Sequence, residues 1–94
     1  MGYRKQPFGY RMEFGDIVVD PKESEVVRYI FRQYLIGHSF KALAEDLQRQ
    51  SIRYEAQKSW NKNMVARILQ DDRYAGAKGF PAIISRETLD AALE

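Results

Sequence analysis

Lys62, Asn63, Ala66 and Arg67 have the types and the spacing of a surface that reads nucleic acid. Lys62 and Ala66 lie one helical turn apart, as do Asn63 and Arg67, so on a helix all four project to one side. An Asn amide offers a donor and an acceptor that match one edge of adenine, and a guanidinium offers two donors that match guanine. An ammonium such as that of Lys62 suits a phosphate. Arg53 and Lys58 precede this segment, and Arg4, Lys5 and Arg11 lie at the N-terminus, where cations serve for phosphate or minor-groove contact. From residue 47 to 68, Arg49, Arg53, Lys58, Lys62 and Arg67 stand against the single acid Glu55, although the net charge is only +2. A solvated helix face in a protein that binds nothing has the same composition, so charge alone does not decide between the two.

Catalytic chemistry finds less support. A nucleophilic mechanism needs a hydroxyl or thiol beside a base that a third group orients. The chain has no cysteine and a single histidine, His38, set in Gly37-His38-Ser39 with nothing nearby in sequence to orient it. One histidine and no thiolate cannot build a zinc centre. Asp71 and Asp72 are adjacent carboxylates of a kind that can hold Mg²⁺, yet beside Arg73 they read more simply as a solvated turn at a helix end. No catalytic residue, metal or cofactor is therefore expected.

The recognition residues need a helix, and the sequence supplies one. Asn61 caps a helix over 62–70 in which Val65, Ile68 and Leu69 form the inward side. Trp60 and Val65 flank the cap as a hydrophobic staple does. An earlier helix, with Phe40, Leu43, Ala44 and Leu47 at i, i+3, i+4 and i+7, begins after Ser39 and ends near Gln50, so two successive helices resemble a helix-turn-helix with a long polar loop, 51–59, between them. Ahead of these, Asp20-Pro21-Lys22-Glu23 combines a cap, a proline at the first helical position and a capping-box glutamate. The helix it starts carries Val26, Val27, Ile30, Phe31, Tyr34 and Leu35 in one stripe and stops at Gly37. Residues 9–12 and 17–19 flank Phe14-Gly15-Asp16 as a hairpin. Residues 74–81 read as a turn or small hairpin, and Ser85 caps a last helix over 86–93.

The expected fold is thus mostly α with small β hairpins, helix-turn-helix-like, with about four helices. At 94 residues this is one domain, burying roughly 60–65% of the surface exposed by its unfolded chain. Hydrophobic residues make up 45% of it, enough for a core without disulfides. No apolar run approaches the roughly 20 residues that span a bilayer, so no membrane partner is expected and a cytoplasmic location is.

The order of motifs resembles the recombinase domain of large serine recombinases, the serine integrases and transposon resolvases. The similarity rests on Pro7-Phe8-Gly9-Tyr10-Arg11, Val18-Val19-Asp20-Pro21-Lys22-Glu23, Val26-Val27-Arg28-Tyr29-Ile30-Phe31 and Tyr34-Leu35-Ile36-Gly37-His38-Ser39. It continues with Trp60-Asn61, Val65-Ala66-Arg67-Ile68-Leu69, Arg73-Tyr74-Ala75-Gly76 and Ile83-Ile84-Ser85, and so spans nearly the whole chain. The resemblance implies double-stranded DNA at an attachment site as the partner, together with other recombinase subunits, in a protein encoded by a bacterium, phage or transposon. It also implies that residues 1–94 are a single DNA-binding domain of a longer protein whose serine nucleophile and zinc ribbon lie elsewhere. Asn61 stands at the usual Ser or Thr cap position, with Lys62, Asn63, Ala66 and Arg67 facing the groove. Asp72 departs from the proline common there, which would loosen the turn and makes Asp71 and Asp72 poor contacts. A helix-turn-helix transcription regulator and a protein-interaction module share the same local features.

Overall fold

The computed structural model describes residues 6–55 and 58–94. Strands β1 (Tyr10–Glu13) and β2 (Asp16–Val19) are followed by α1 (Pro21–Leu35), α2 (Phe40–Arg49), α3 (Lys62–Leu69) and α4 (Arg86–Leu93), with two 3-10 turns, Asp72–Ala75 and Ala77–Gly79, before α4. This mostly α fold with one two-stranded hairpin is the one that the sequence implies. The strands are antiparallel, Tyr10 opposite Val19 and Glu13 opposite Asp16. Phe14 and Gly15, both at positive φ, join them as the tight turn whose twist suits a hairpin.

Local signals set the helix ends. Asp20 accepts hydrogen bonds from the Lys22 and Glu23 amides, and Pro21 opens α1. The second half of the expected capping box is not made. The Asp20 N–H donates instead to the Gly9 carbonyl at 2.8 Å, and Glu23 Oε1 accepts the Gly9 N–H at 2.8 Å. Gly9 thus takes the place that the cap backbone would have had, and the glutamate ties the N-terminal segment to α1. At the other end, His38 N–H reaches Gln33 O and Gly37 N–H reaches Tyr34 O, with Gly37 at φ +119, the paired bonds of a Schellman ending. α2 starts on Ser39 and ends in the same pattern, Ile52 N–H to Leu47 O and Ser51 N–H to Gln48 O, although the left-handed residue is Ser51.

Val27, Ile30 and Phe31 of α1 are buried against Leu43, Ala44 and Leu47 of α2 and Val65, Ile68 and Leu69 of α3. Leu35, assigned to that stripe by its spacing, is 43% exposed: it lies in the last turn, which projects from the core together with the exposed Ile36. Of the two readings of residues 74–81, a turn or a small hairpin, the chain takes the turn. Tyr74 is buried and its carbonyl accepts both the Ile83 and the Ile84 N–H, so the chain curls back onto one residue through two 3-10 turns and makes no ladder. Among the described residues, no helix is long and apolar enough to cross a membrane.

A candidate nucleic-acid interface

α3 is set by its cap and its buried side. Asn61 Oδ1 accepts the Met64 N–H at 3.0 Å, and Trp60, 1% exposed, is buried with Val65 below it. With Val65, Ile68 and Leu69 turned inward, Lys62, Asn63 and Arg67 are exposed and Ala66 is half-buried, so the helix brings together the four residues singled out by spacing. Ala66 leaves a low place between longer side chains.

The loop that delivers the chain to α3 is pinned by aromatic rings. Tyr54 stacks on Phe8 at 5.6 Å and meets Trp60 edge-on at 5.3 Å, while Phe8 and Trp60 meet edge-on at 4.9 Å. Trp60 Nε1 is buried without a hydrogen-bond partner among the described residues, enclosed by these rings. Past Tyr54, Glu55 and Lys58 exchange backbone hydrogen bonds across an antiparallel bridge in this loop. Arg53 and Lys58 are exposed on it.

Ion pairing divides the described cations into two groups. Arg11, Arg28, Arg49, Arg73, Lys78 and Arg86 each have a carboxylate within 4.0 Å. Lys22, Arg32, Lys41, Arg53, Lys58, Lys62 and Arg67 have none among the described residues; of these, Lys62 and Arg67 stand on α3 and Arg53 and Lys58 on the loop before it. Their charge is uncompensated, which is what binding a polyanion requires. Arg11, expected among the contacts, sits on the hairpin with its guanidinium 2.9 Å from Glu13 Oε2, in a half-exposed surface pair. Arg4 and Lys5 lie outside the described residues.

Arg67 stands between two depressions. A cleft of about 120 Å³ on one flank is lined by Pro7, Phe8, Tyr54, Met64 and Arg67, among others, so the N-terminal segment comes up beside α3. An open groove of about 440 Å³ on the other flank is lined by Arg67, Gln70, Asp71, Asp72, Arg73 and Lys78. Gln70, three residues beyond Arg67, is the exposed C-cap of α3, a position that the helical spacing of Asn63 and Arg67 points to. Lys78 had no such signal, because only the fold of the 3-10 turns carries it there.

The floor of that groove is braced. Arg73 donates through Nε to Asp71 Oδ1 at 2.9 Å and through Nη2 to Oδ2 at 2.6 Å. Burial pushes the Asp71 carboxyl up, but the Arg73 bonds and charge outweigh it and hold the group below the usual carboxylate range. Asp71 is therefore an ionised, already paired brace, which leaves its oxygens little room for a cation. Asp72 occupies the first position of the 3-10 turn, where an amide needs no partner and proline would fit; the turn forms with aspartate there. Tyr10 Oη donates to the Pro81 carbonyl at 2.7 Å, with the Arg73 carbonyl at 3.0 Å, and burial, aided by the Asp71 charge, pushes its pKa up to about 12. Tyr74 Oη donates to the Phe8 carbonyl at 2.6 Å, and burial raises its pKa further. Both phenols are thus fixed donors that tie the N-terminal segment to the wall of the groove.

The profile of the Recombinase family matches residues 21–94, and the chain belongs to that family. Among solved structures, its fold is similar to that in the crystal structure of an LSR–DNA complex (LSR, large serine recombinase), with a TM-score of 0.76 at 19% identity over 99% of this chain and 32% of that one. It is similar also to a structure concerned with the sequence requirements of the Listeria innocua prophage attP site, with a TM-score of 0.75 at 18% identity over 99% of this chain and 42% of that one. The chain thus spans less than half the length of either. Among curated proteins, none matches it by sequence.

Proposed function

We propose that this chain is the module by which a site-specific serine recombinase docks on double-stranded DNA at its attachment site. The observation that carries the reading is the outer face of α3: Lys62, Asn63 and Arg67 are exposed, and Lys62 and Arg67 have no carboxylate partner among the described residues, while the opposite side of the same helix is locked into the core. Family membership and a fold shared with an LSR–DNA complex support it. In this reading α3 enters the major groove, Asn63 and Arg67 bond base edges, and Lys62 meets phosphate, with Ala66 giving the bases room to approach. Arg53 and Lys58 hold the backbone from the loop before α3. Pro7 and Arg67 line one cleft, which supports a course for the preceding segment, with Arg4 and Lys5, along the adjacent minor groove; Arg11 is the weakest of the proposed contacts. Strand cleavage belongs to a serine in another domain of the parent protein, where a zinc ribbon and partner subunits add to the grip on DNA, in the cytoplasm of a bacterial host.

The test begins by selecting a preferred site from a pool of randomised duplexes. Arg67→Ala and Asn63→Ala should then weaken binding to that site more than to random sequence, each base contact discriminating by about 1–3 kcal/mol. Lys58→Ala and Arg53→Ala should weaken both alike and lower the salt slope by about 0.9 each. Unchanged affinity at low salt after substitution of Lys62, Asn63 and Arg67 refutes the recognition-helix assignment.

A further inference from the structure

We infer that Lys78 and Gln70 extend the DNA footprint beyond the end of α3, Lys78 as a phosphate clamp on the 3-10 turn and Gln70 as a third base-reading side chain. The inference rests on α3 being the recognition helix. Asn63, Arg67 and Gln70 stand at i, i+4 and i+7, and all three are exposed. Gln presents the same paired donor and acceptor as Asn and matches adenine in the same way. Arg67 and Gln70 line the open groove together with Lys78, which the two 3-10 turns carry to its wall. A duplex whose bases meet Arg67 and Gln70 has its backbone beside that wall.

The backbone at Lys78 gives an independent reason. Its φ and ψ are 57 and 32, left-handed values that disfavour a side chain, and Gly76 and Gly79 on either side have positive φ as well. Glycine would satisfy the same conformation without strain, so packing does not explain a lysine whose side chain is 72% exposed. Strain of this kind gathers at functional positions. Charge supplies the third argument. Lys78 Nζ lies 4.0 Å from Asp72 Oδ1, at the rim of a groove where an uncovered carboxylate would repel phosphate. Lys78 therefore has two effects on the same partner: it attracts the phosphate and it masks Asp72.

Binding of the 94-residue chain to a random-sequence duplex, measured against salt, tests the clamp. Lys78→Ala should weaken affinity several-fold at low salt and lower the salt slope by about 0.9, and Lys78→Arg should restore both. Lys78→Gly should leave the urea midpoint unchanged or raised while binding falls, a pair of signs that a purely structural lysine cannot produce. Asp72→Asn should tighten binding, and in that background Lys78→Ala should cost less than in the parent. For Gln70, selection from randomised duplexes should show that Gln70→Ala loses the preference at one base pair next to that read by Arg67. If the Lys78 variants bind with parental affinity and slope while Arg67→Ala loses its preferred site, the clamp is wrong and the α3 assignment stands. An unchanged selected sequence with Gln70→Ala overturns the base-reading role. If Arg67→Ala is also silent, the inference and the reading beneath it fall together.

Discussion

Gly9→Ala isolates what ties the N-terminal segment to the helices, because a second glycine serves as its control. Gly9 has φ +105, and a methyl added there lies 3.0 Å from Ile83 Cδ1, 3.1 Å from Val27 Cγ2 and 3.4 Å from Tyr74 Cε1. Ile83 and Val27 are themselves buried, so neither can swing away. Gly15 has φ +85 with nothing within 4 Å of such a methyl. Both substitutions place alanine in the left-handed half of backbone space, at about 1–2 kcal/mol, and both gain back about 0.4–1 kcal/mol from a less flexible unfolded chain. Gly15→Ala should therefore cost roughly 0.5–1 kcal/mol. Gly9→Ala adds an overpacking cost of about 1–3 kcal/mol, which for a domain of this size lowers the melting temperature by a further ~4 °C or more. Urea denaturation followed by far-UV circular dichroism reads the difference, with equal slopes required so that midpoints can be compared. Emission from Trp60, the only tryptophan in the chain, gives a local readout: it is packed against Phe8, the neighbour of Gly9, and should shift to the red in Gly9→Ala alone. Equal losses at the two glycines would refute the close-packing argument and leave Gly9 as an ordinary turn residue.

Leu69→Ala removes a side chain that is 2% exposed on the inner face of α3 and should cost about 2–5 kcal/mol; an unchanged urea midpoint would mean that the helix is turned the other way. Alkaline stability should follow Tyr10 and Tyr74, whose folded pKa values are raised by burial, to about 12 for Tyr10. Their contribution is complete below the unfolded value of about 10 and is lost as pH rises through the folded value, because the unfolded chain releases those protons first. Unfolding free energy measured from about pH 9 to about pH 12 should decline less steeply in Tyr10→Phe than in the parent.

The helices, their caps and most of the core were legible in the sequence because their causes are local. Asp20, Ser39, Asn61 and Ser85 each cap an amide two or three residues ahead, and the period that buries Val65, Ile68 and Leu69 acts over a single turn. The outer face of α3 follows from the same period, so its candidate residues could be named before any packing was known. Other features depended on residues far apart in the chain. The Glu23 carboxylate accepts from Gly9 rather than from its own cap, because the hairpin returns the N-terminal segment to the start of α1. Tyr74 and Tyr10 bond carbonyls at sequence separations of 66, 63 and 71, which no local pattern encodes. Residues 74–81 curl into 3-10 turns because the buried Tyr74 gathers the Ile83 and Ile84 amides, and that curl alone brings Lys78 to the groove beside Arg67. Sequence periodicity named the helix that faces outward; the long-range hydrogen bonds of Tyr10, Glu23 and Tyr74 decided what stands beside it.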